Sequence, residues 1–185
     1  MMGDFSHLNE KAEGRMVDVG GKTDTTRQAC VRGIVVVGEE CGKRLDAKTA
    51  REIVSVARVA GMMAAKNTAG LIPFCHQVAL SKVEITIDWD LDQFGIEAVS
   101  KSHSATGVEM EAFVAAQIAG TTIYDMVKAV APDAIVGPFM LVEKTGGKNG
   151  RWERKNMSMT MDIVMDTTTK KKTASSTRKK LSARA

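Results

Sequence analysis

Along this chain the spacing of apolar residues switches between strand-like alternation and helical recurrence, and the order of those switches limits the fold more than anything else in the sequence. RMVDVG (15–20) and CVRGIVVV (30–37) read as strands, the second β-branched and bounded by Gly38. AREIVSVARVAGMMAAKNT (50–68) places Ile53, Val56, Ala57, Ala60 and Ala64 on one helical face, and the helix closes near Gly70 and Pro73. KVEITIDW (82–89) and FGIEAVSKS (94–102) alternate strictly on either side of LDQ, which predicts a hairpin. A second helix is expected from about 107 to 130 with Pro132 beyond it, then a last strand, AIVGPFMLVEK (134–144), and a loop at GGKNG. The order β-α-β-β-α-β predicts a ferredoxin-like α+β sandwich, an antiparallel sheet with two helices on one face. That fold hosts many activities, so function has to be argued from particular residues.

Both helices are rich in small side chains, VAGMMAA in the first and AAQIAGTT (115–122) in the second. Two readings stand side by side: close approach of helices or subunits, with oligomerisation covering the open sheet face, or alanine used simply as a good helix former. At 185 residues the chain suits one domain plus a tail. The expected division is a domain at 1–150, an extension at 151–169 and a basic, disordered tail at 170–185. That tail, KKKTASSTRKKLSARA, holds seven of the 26 Lys and Arg, which leaves 19 against 22 Asp and Glu elsewhere and a slightly acidic body. A tail of this kind reads first as solubilising, with nucleic-acid contact unlikely for the domain itself. An RNA-binding domain on this scaffold would stack bases on strand aromatics, and one Tyr, two Trp and five Phe are too scattered for that. Cys30, Cys41 and Cys75 show neither a disulfide framework nor zinc-ligand spacing. With no membrane-length apolar run and no secretory pattern in MMGDFSHLNEKAEG, a cytoplasmic protein is expected.

Several residue groups carry possible chemistry. Asp125 and Lys128 stand three apart and therefore neighbour each other on a helix. Such a pair is either an acid/base couple or a surface ion pair worth a few tenths of a kcal/mol. Glu109 and Glu111 flank Met110 in a first helical turn, where carboxylates are also favoured by the helix dipole. Lys22, Arg27, Lys66, Lys144 and Lys148 come from separate segments and together would suit a polyphosphate, although each alone reads as a solvated cation. GGK at 146–148 lacks P-loop spacing and opens no helix. In LIPFCHQVALSK (71–82), extended backbone would turn Cys75 and His76 to opposite sides, which argues for a packed thiol and for His76 facing a pocket.

MVDV (16–19), ARVAGMMAAKNTAGLIPFCHQVALSKVEI (57–85), TGVEMEAFVAA (106–116), TIYDMVKAV (122–130) and IVGPFMLVEKTGGKNG (135–150) together resemble the MoaC family of molybdenum cofactor biosynthesis, over about residues 15–150. The resemblance implies a lyase that converts a cyclised dihydro-GTP, the product of a radical-SAM partner enzyme, to cyclic pyranopterin monophosphate with release of pyrophosphate. It implies a ferredoxin-like fold, a homohexamer built as a trimer of dimers, and active sites at subunit interfaces. No metal or organic cofactor is implied for catalysis; magnesium is compatible with the substrate phosphates. Carried over by position, Asp125, Lys128 and His76 are the catalytic residues, with Lys128 as principal acid/base and a lowered lysine pKa beside Asp125. Glu109, Met110 and Glu111 would recognise the base-derived part. Lys22, Arg27 and Lys144 would hold the triphosphate, and Lys66 and Cys75 complete the substrate-binding set.

The chain departs from the family pattern at identifiable places. Ala50-Arg51-Glu52 stands where the family has Lys-Gly-Asp, with Lys48 or Arg51 as candidate stand-ins, and Asn67, Gly70 and Gln77 replace an arginine, an acid and a proline. These changes leave His76, Asp125 and Lys128 in place. They also keep a second reading open, a divergent paralogue that binds a purine-nucleotide-like ligand without turnover.

Overall fold

A computed structural model describes residues 5–148 and 150–155; the expected tail at 170–185 and most of the 151–169 extension lie outside them. The element order is β1 (Thr25–Val36), α1 (Glu39–Gly42), α2 (Ala47–Lys66), α3 (Thr68–Leu71), β2 (Leu80–Asp90), β3 (Gln93–Ser104), α4 (Glu109–Val127), β4 (Ile135–Thr145) and β5 (Trp152–Glu153). The strands form one sheet in the order β2-β3-β1-β4-β5 with every neighbouring pair antiparallel. Setting aside the two-residue β5 and the single-turn α1 and α3, this is the ferredoxin-like β-α-β-β-α-β arrangement expected from periodicity.

Each long element follows from local chemistry. α2 starts where Asp46 accepts a hydrogen bond from the Thr49 amide at 2.7 Å, satisfying one of the donors a helix leaves free at its start. Its buried stripe, Ala50, Ile53, Ala57, Gly61 and Ala65, recurs every three or four residues and faces α4 and the sheet. At the hairpin between β2 and β3, Asp90 accepts from the Leu91 amide at 2.7 Å, one residue from the last ladder pair, Asp90 with Gln93. Strand β1 is paired on both edges, and its inward Ala29, Val31 and Val35 meet Phe94, Ile96 and Ala98 in a core completed by Ile85 and Ile123.

The small residues of the two long helices pack against each other within the chain. A methyl group built on Gly61 would lie 2.6 Å from the Ala115 carbonyl oxygen and 3.2 Å from the Ala119 methyl. Glycine is therefore what lets α2 and α4 approach this closely. Val56, Val59 and Met63 remain exposed on the outer side of α2, and Ile118 and Met126 on that of α4.

One expected strand is absent. Arg15 closes a small N-terminal hairpin with His7 next to a Leu8–Gly14 bridge, and the rest of RMVDVG pairs with no strand and runs as irregular backbone. Alternation alone does not make a strand there: the segment lies beside no strand of the sheet, although the outer edge of β2 is open. The helix ends also differ slightly from expectation: α2 runs 47–66 rather than 50–68, and α4 runs 109–127 rather than 107–130.

Candidate active site

Two adjoining chambers open where the β3–α4 connection, the end of β4 and the N-terminal segment meet. The first, of about 340 Å³, is bordered by Lys22, Arg27, Lys144 and Lys148 together with Glu109 and the backbone of 105–108 and 145–146. The second, of about 380 Å³, is bordered by Cys75, His76, Glu109, Met110 and Glu111, with Lys22 again at its rim. Lys22, Thr106, Gly107 and Glu109 belong to both, so the chambers share a wall.

In the first chamber two of the four cations, Arg27 and Lys144, are held by hydrogen bonds. Arg27 donates from Nε to the Ser104 carbonyl and from its terminal guanidinium to the Ala105 carbonyl, both at 3.3 Å. The same guanidinium lies where a side chain on Gly147 would have to stand, and Gly146 and Gly147 adopt φ of 96° and 70°, backbone that favours glycine. The two glycines thus let the β4 loop fold over Arg27. Lys144 donates to Glu109 at 2.9 Å in a partly buried pair, which orients both across the shared wall. Ser102, Ser104 and the Thr106 carbonyl form a short hydrogen-bond chain, 2.7 and 2.9 Å, that holds the loop leading to α4.

The second chamber has a different character. Glu111 is almost wholly buried at 4% exposure, and its carboxyl is pushed above the ordinary carboxylate range, first by burial and then by the charge of Glu109. Burial also pushes the Cys75 thiol up, with Glu111 adding to it, which disfavours the thiolate and any nucleophilic role. Cys75 and His76 border the same chamber, contrary to the expectation that extended backbone would part them. The segment turns here instead: the Cys75 amide donates to the Ile72 carbonyl at 3.1 Å.

Eight of the eleven expected site residues, Lys22, Arg27, Cys75, His76, Glu109, Met110, Glu111 and Lys144, therefore meet at one end of the chain's fold. The other three do not. Lys66 is exposed at the end of α2 and borders neither chamber. Asp125 and Lys128 pair at 2.7 Å at the far end of α4, both more than half exposed. Sixteen residues of helix separate Glu109 from Asp125, about 24 Å at the standard rise. The hydrogen bond and charge of Asp125 raise the Lys128 pKa, which corrects the expected lowering: an exposed lysine beside a carboxylate is held protonated.

Nothing in the structure accounts for Gln77, but the other departures noted in the sequence have local explanations. Ala50 is buried in the α2 stripe, with Lys48 and Arg51 exposed beside it. Asn67 and Gly70 fit each other, since the Gly70 amide donates to the Asn67 carbonyl at 3.0 Å and a methyl on Gly70 would lie 2.9 Å from the Asn67 side-chain oxygen. Among the described residues no three His, Cys, Asp or Glu converge as a metal site would require. Nor is any described helix long and apolar enough to cross a membrane.

Sequence reasoning missed the glycine pair's service to Arg27 and the part played by the segment before residue 15. The first carries a signal in hindsight, adjacent glycines after a strand; the second carries none in its composition. Comparison with known proteins agrees with the chambers. The chain is 42% identical over 156 residues to the cyclic pyranopterin monophosphate synthase of Peptoclostridium acidaminophilum, covering 83% of this chain and 99% of that one. It is 44% identical over 160 residues to the protein of the same name from Geobacillus thermodenitrificans, at 83% and 99% coverage, and 40% identical over 159 residues to that of Bacillus subtilis, at 83% and 94%. The MoaC family model matches residues 16–147, the span that contributes Lys22, Arg27 and Lys144 of the first chamber and His76, Glu109 and Glu111 of the second, and by both measures the chain belongs to the MoaC family.

Proposed function

We propose that this protein is a cyclic pyranopterin monophosphate synthase of molybdenum cofactor biosynthesis, taking the cyclised dihydro-GTP made by a radical-SAM enzyme and releasing pyrophosphate. The observation that carries this reading is the pairing of a cationic chamber with a carboxylate-lined one across the Lys144–Glu109 contact. A nucleotide needs both at once: a triphosphate to be met by Lys22, Arg27, Lys144 and Lys148, and a heterocycle whose N–H groups are met by Glu109 and Glu111.

The chemistry follows from that placement. Forming a cyclic phosphate expels pyrophosphate, and the negative charge growing on the leaving group is stabilised by the guanidinium of Arg27 and the ammonium of Lys144. Rebuilding the ring system requires proton transfers, assigned to Lys128 with Asp125 orienting it, while His76 stands beside the heterocycle. Because Asp125 lies about 24 Å along α4 from Glu109 and Lys128 farther still, a second copy must supply them. Subunit-interface sites in a hexamer of three dimers meet that need. Covering the pair would desolvate the Lys128 ammonium, the influence that opposes the hold of Asp125 on its proton.

The test is turnover of purified cyclised dihydro-GTP, followed by pyrophosphate release and by the fluorescence of the oxidised pterin, with Lys128→Ala as control. Product from the wild type and none from the control supports the synthase. Tight nucleotide binding with no product from either would instead favour the non-catalytic paralogue, the reading that Ala50 keeps open.

A further inference from the structure

The second chamber has a wall that belongs to neither the family span nor the residues assigned so far. His7 borders it, nine residues before the matched span begins. The segment carrying His7 is a self-sufficient hairpin: the Arg15 amide donates to the His7 carbonyl at 2.8 Å, the Asn9 amide to the Glu13 carbonyl at 2.9 Å, and the Asn9 side-chain oxygen accepts from the Lys11 and Glu13 amides at 2.9 Å each. Its attachment to the body is through Phe74. The His7 ring stacks on Phe74 with centroids 6.0 Å apart and planes 16° from parallel, and a methyl built on Gly14 would lie 2.7 Å from the same ring. Phe74 immediately precedes Cys75 and His76, so the hairpin grips the segment that presents the site's histidine.

The hydrogen bonding of His7 defines what it offers a ligand. Its Nδ1 lies 3.2 Å from the Arg15 carbonyl oxygen, and a carbonyl can only accept, so Nδ1 carries the proton. Nε2 is then the ring's remaining polar atom, and no described residue hydrogen-bonds to it. A ring held by stacking on one face and by Nδ1 at one corner is a preorganised group with one free position, set on a chamber that Glu109 and Glu111 also line.

We propose that His7 is a substrate-binding residue, its Nε2 hydrogen-bonding the heterocyclic end of the bound nucleotide, with the N-terminal hairpin as a wall of the site. This rests on the reading of the second chamber as the place of the heterocycle. It predicts that His7 acts on the base and not on the phosphates, which belong to the other chamber.

The experiment compares wild type, His7→Asn and His7→Gln by calorimetric titration with GTP and with inorganic tripolyphosphate. Asn keeps a donor near Nδ1 and has no atom at the Nε2 position; Gln places an amide there. The expected result is that His7→Asn weakens GTP binding by about tenfold, the size of one hydrogen bond to a ligand, that tripolyphosphate binding stays within about twofold, and that His7→Gln recovers most of the loss. The proposal is overturned if His7→Asn binds GTP like the wild type, if both ligands weaken together, or if His7→Gln is no better than Asn. A wild type that forms pterin while giving any of those patterns leaves the synthase standing without His7. A wild type that binds neither ligand and forms no pterin overturns the synthase reading and this proposal with it.

Discussion

The two ends of α4 carry the same kind of contact in opposite states. At the N-terminal end Lys144 meets Glu109 in a partly buried pair, inside a wall braced by Arg27 and the glycines of the β4 loop. At the C-terminal end Lys128 meets Asp125 at 2.7 Å with 57% and 70% of the side chains exposed. The first is braced within the fold; the second stands on open surface. Geometry, not residue type, separates a braced pair from a bare one, and a bare surface pair is worth at most about 1 kcal/mol to stability.

The sharpest break in that comparison is Lys128→Ala. If the exposed pair is the acid/base couple of an assembled site, turnover falls by about 10²- to 10⁴-fold while the denaturation midpoint hardly moves. A variant that keeps its rate would reduce Asp125–Lys128 to the surface ion pair it resembles in the isolated chain.

Mixing sharpens it further. Lys128→Ala and Lys144→Ala damage opposite ends of α4, so each should be nearly inactive alone. If sites combine ends from two copies, unfolding and refolding the two variants together should regenerate intact sites and recover a measurable share of the activity. Recovery no greater than the sum of the separate variants would mean that both ends serve one chain.

Lys144→Met tests the braced end by itself. It removes a charged donor from the first chamber, so affinity for tripolyphosphate should fall by about tenfold or somewhat more in titration. Binding that is unchanged would make Lys144 a partner of Glu109 only.

These contrasts also explain what the sequence could disclose. The core of the fold was legible because α2, β2, β3 and β4 each show the spacing of their own element, with a turn beside Asp90, whereas reading the first helix from residue 50 missed the cap at Asp46. RMVDVG misled because alternation records which side chains could face a core, not whether the backbone comes to lie beside another strand. His76, Glu109 and Lys144 were identifiable from motifs, whereas the loop backbone at Gly146 and Gly147 that folds over Arg27 is something residue spacing does not encode. The expected lowering of the Lys128 pKa failed for a related reason. Residue identity supplies the carboxylate next door, whereas desolvation has to come from surfaces elsewhere, and in one chain only the carboxylate is there.

Glu111 gives the smallest effect and the finest test of how dry the braced end is. Burial raises its folded-state pKa above the unfolded-chain value of about 4.3, so between the two the fold holds a proton that the unfolded chain releases. Stability linked to this group is fully present below the unfolded value and is lost as pH rises through the folded one. Glu111→Gln removes the titration while keeping the shape. The variant should therefore match or trail the wild type at about pH 4 and gain on it as pH approaches about 7, read as denaturation midpoints across that range. A wild type whose stability shows no such decline relative to the variant would mean that water reaches Glu111, and that the second chamber is a wet cleft and not the desolvated pocket that its 4% exposure describes.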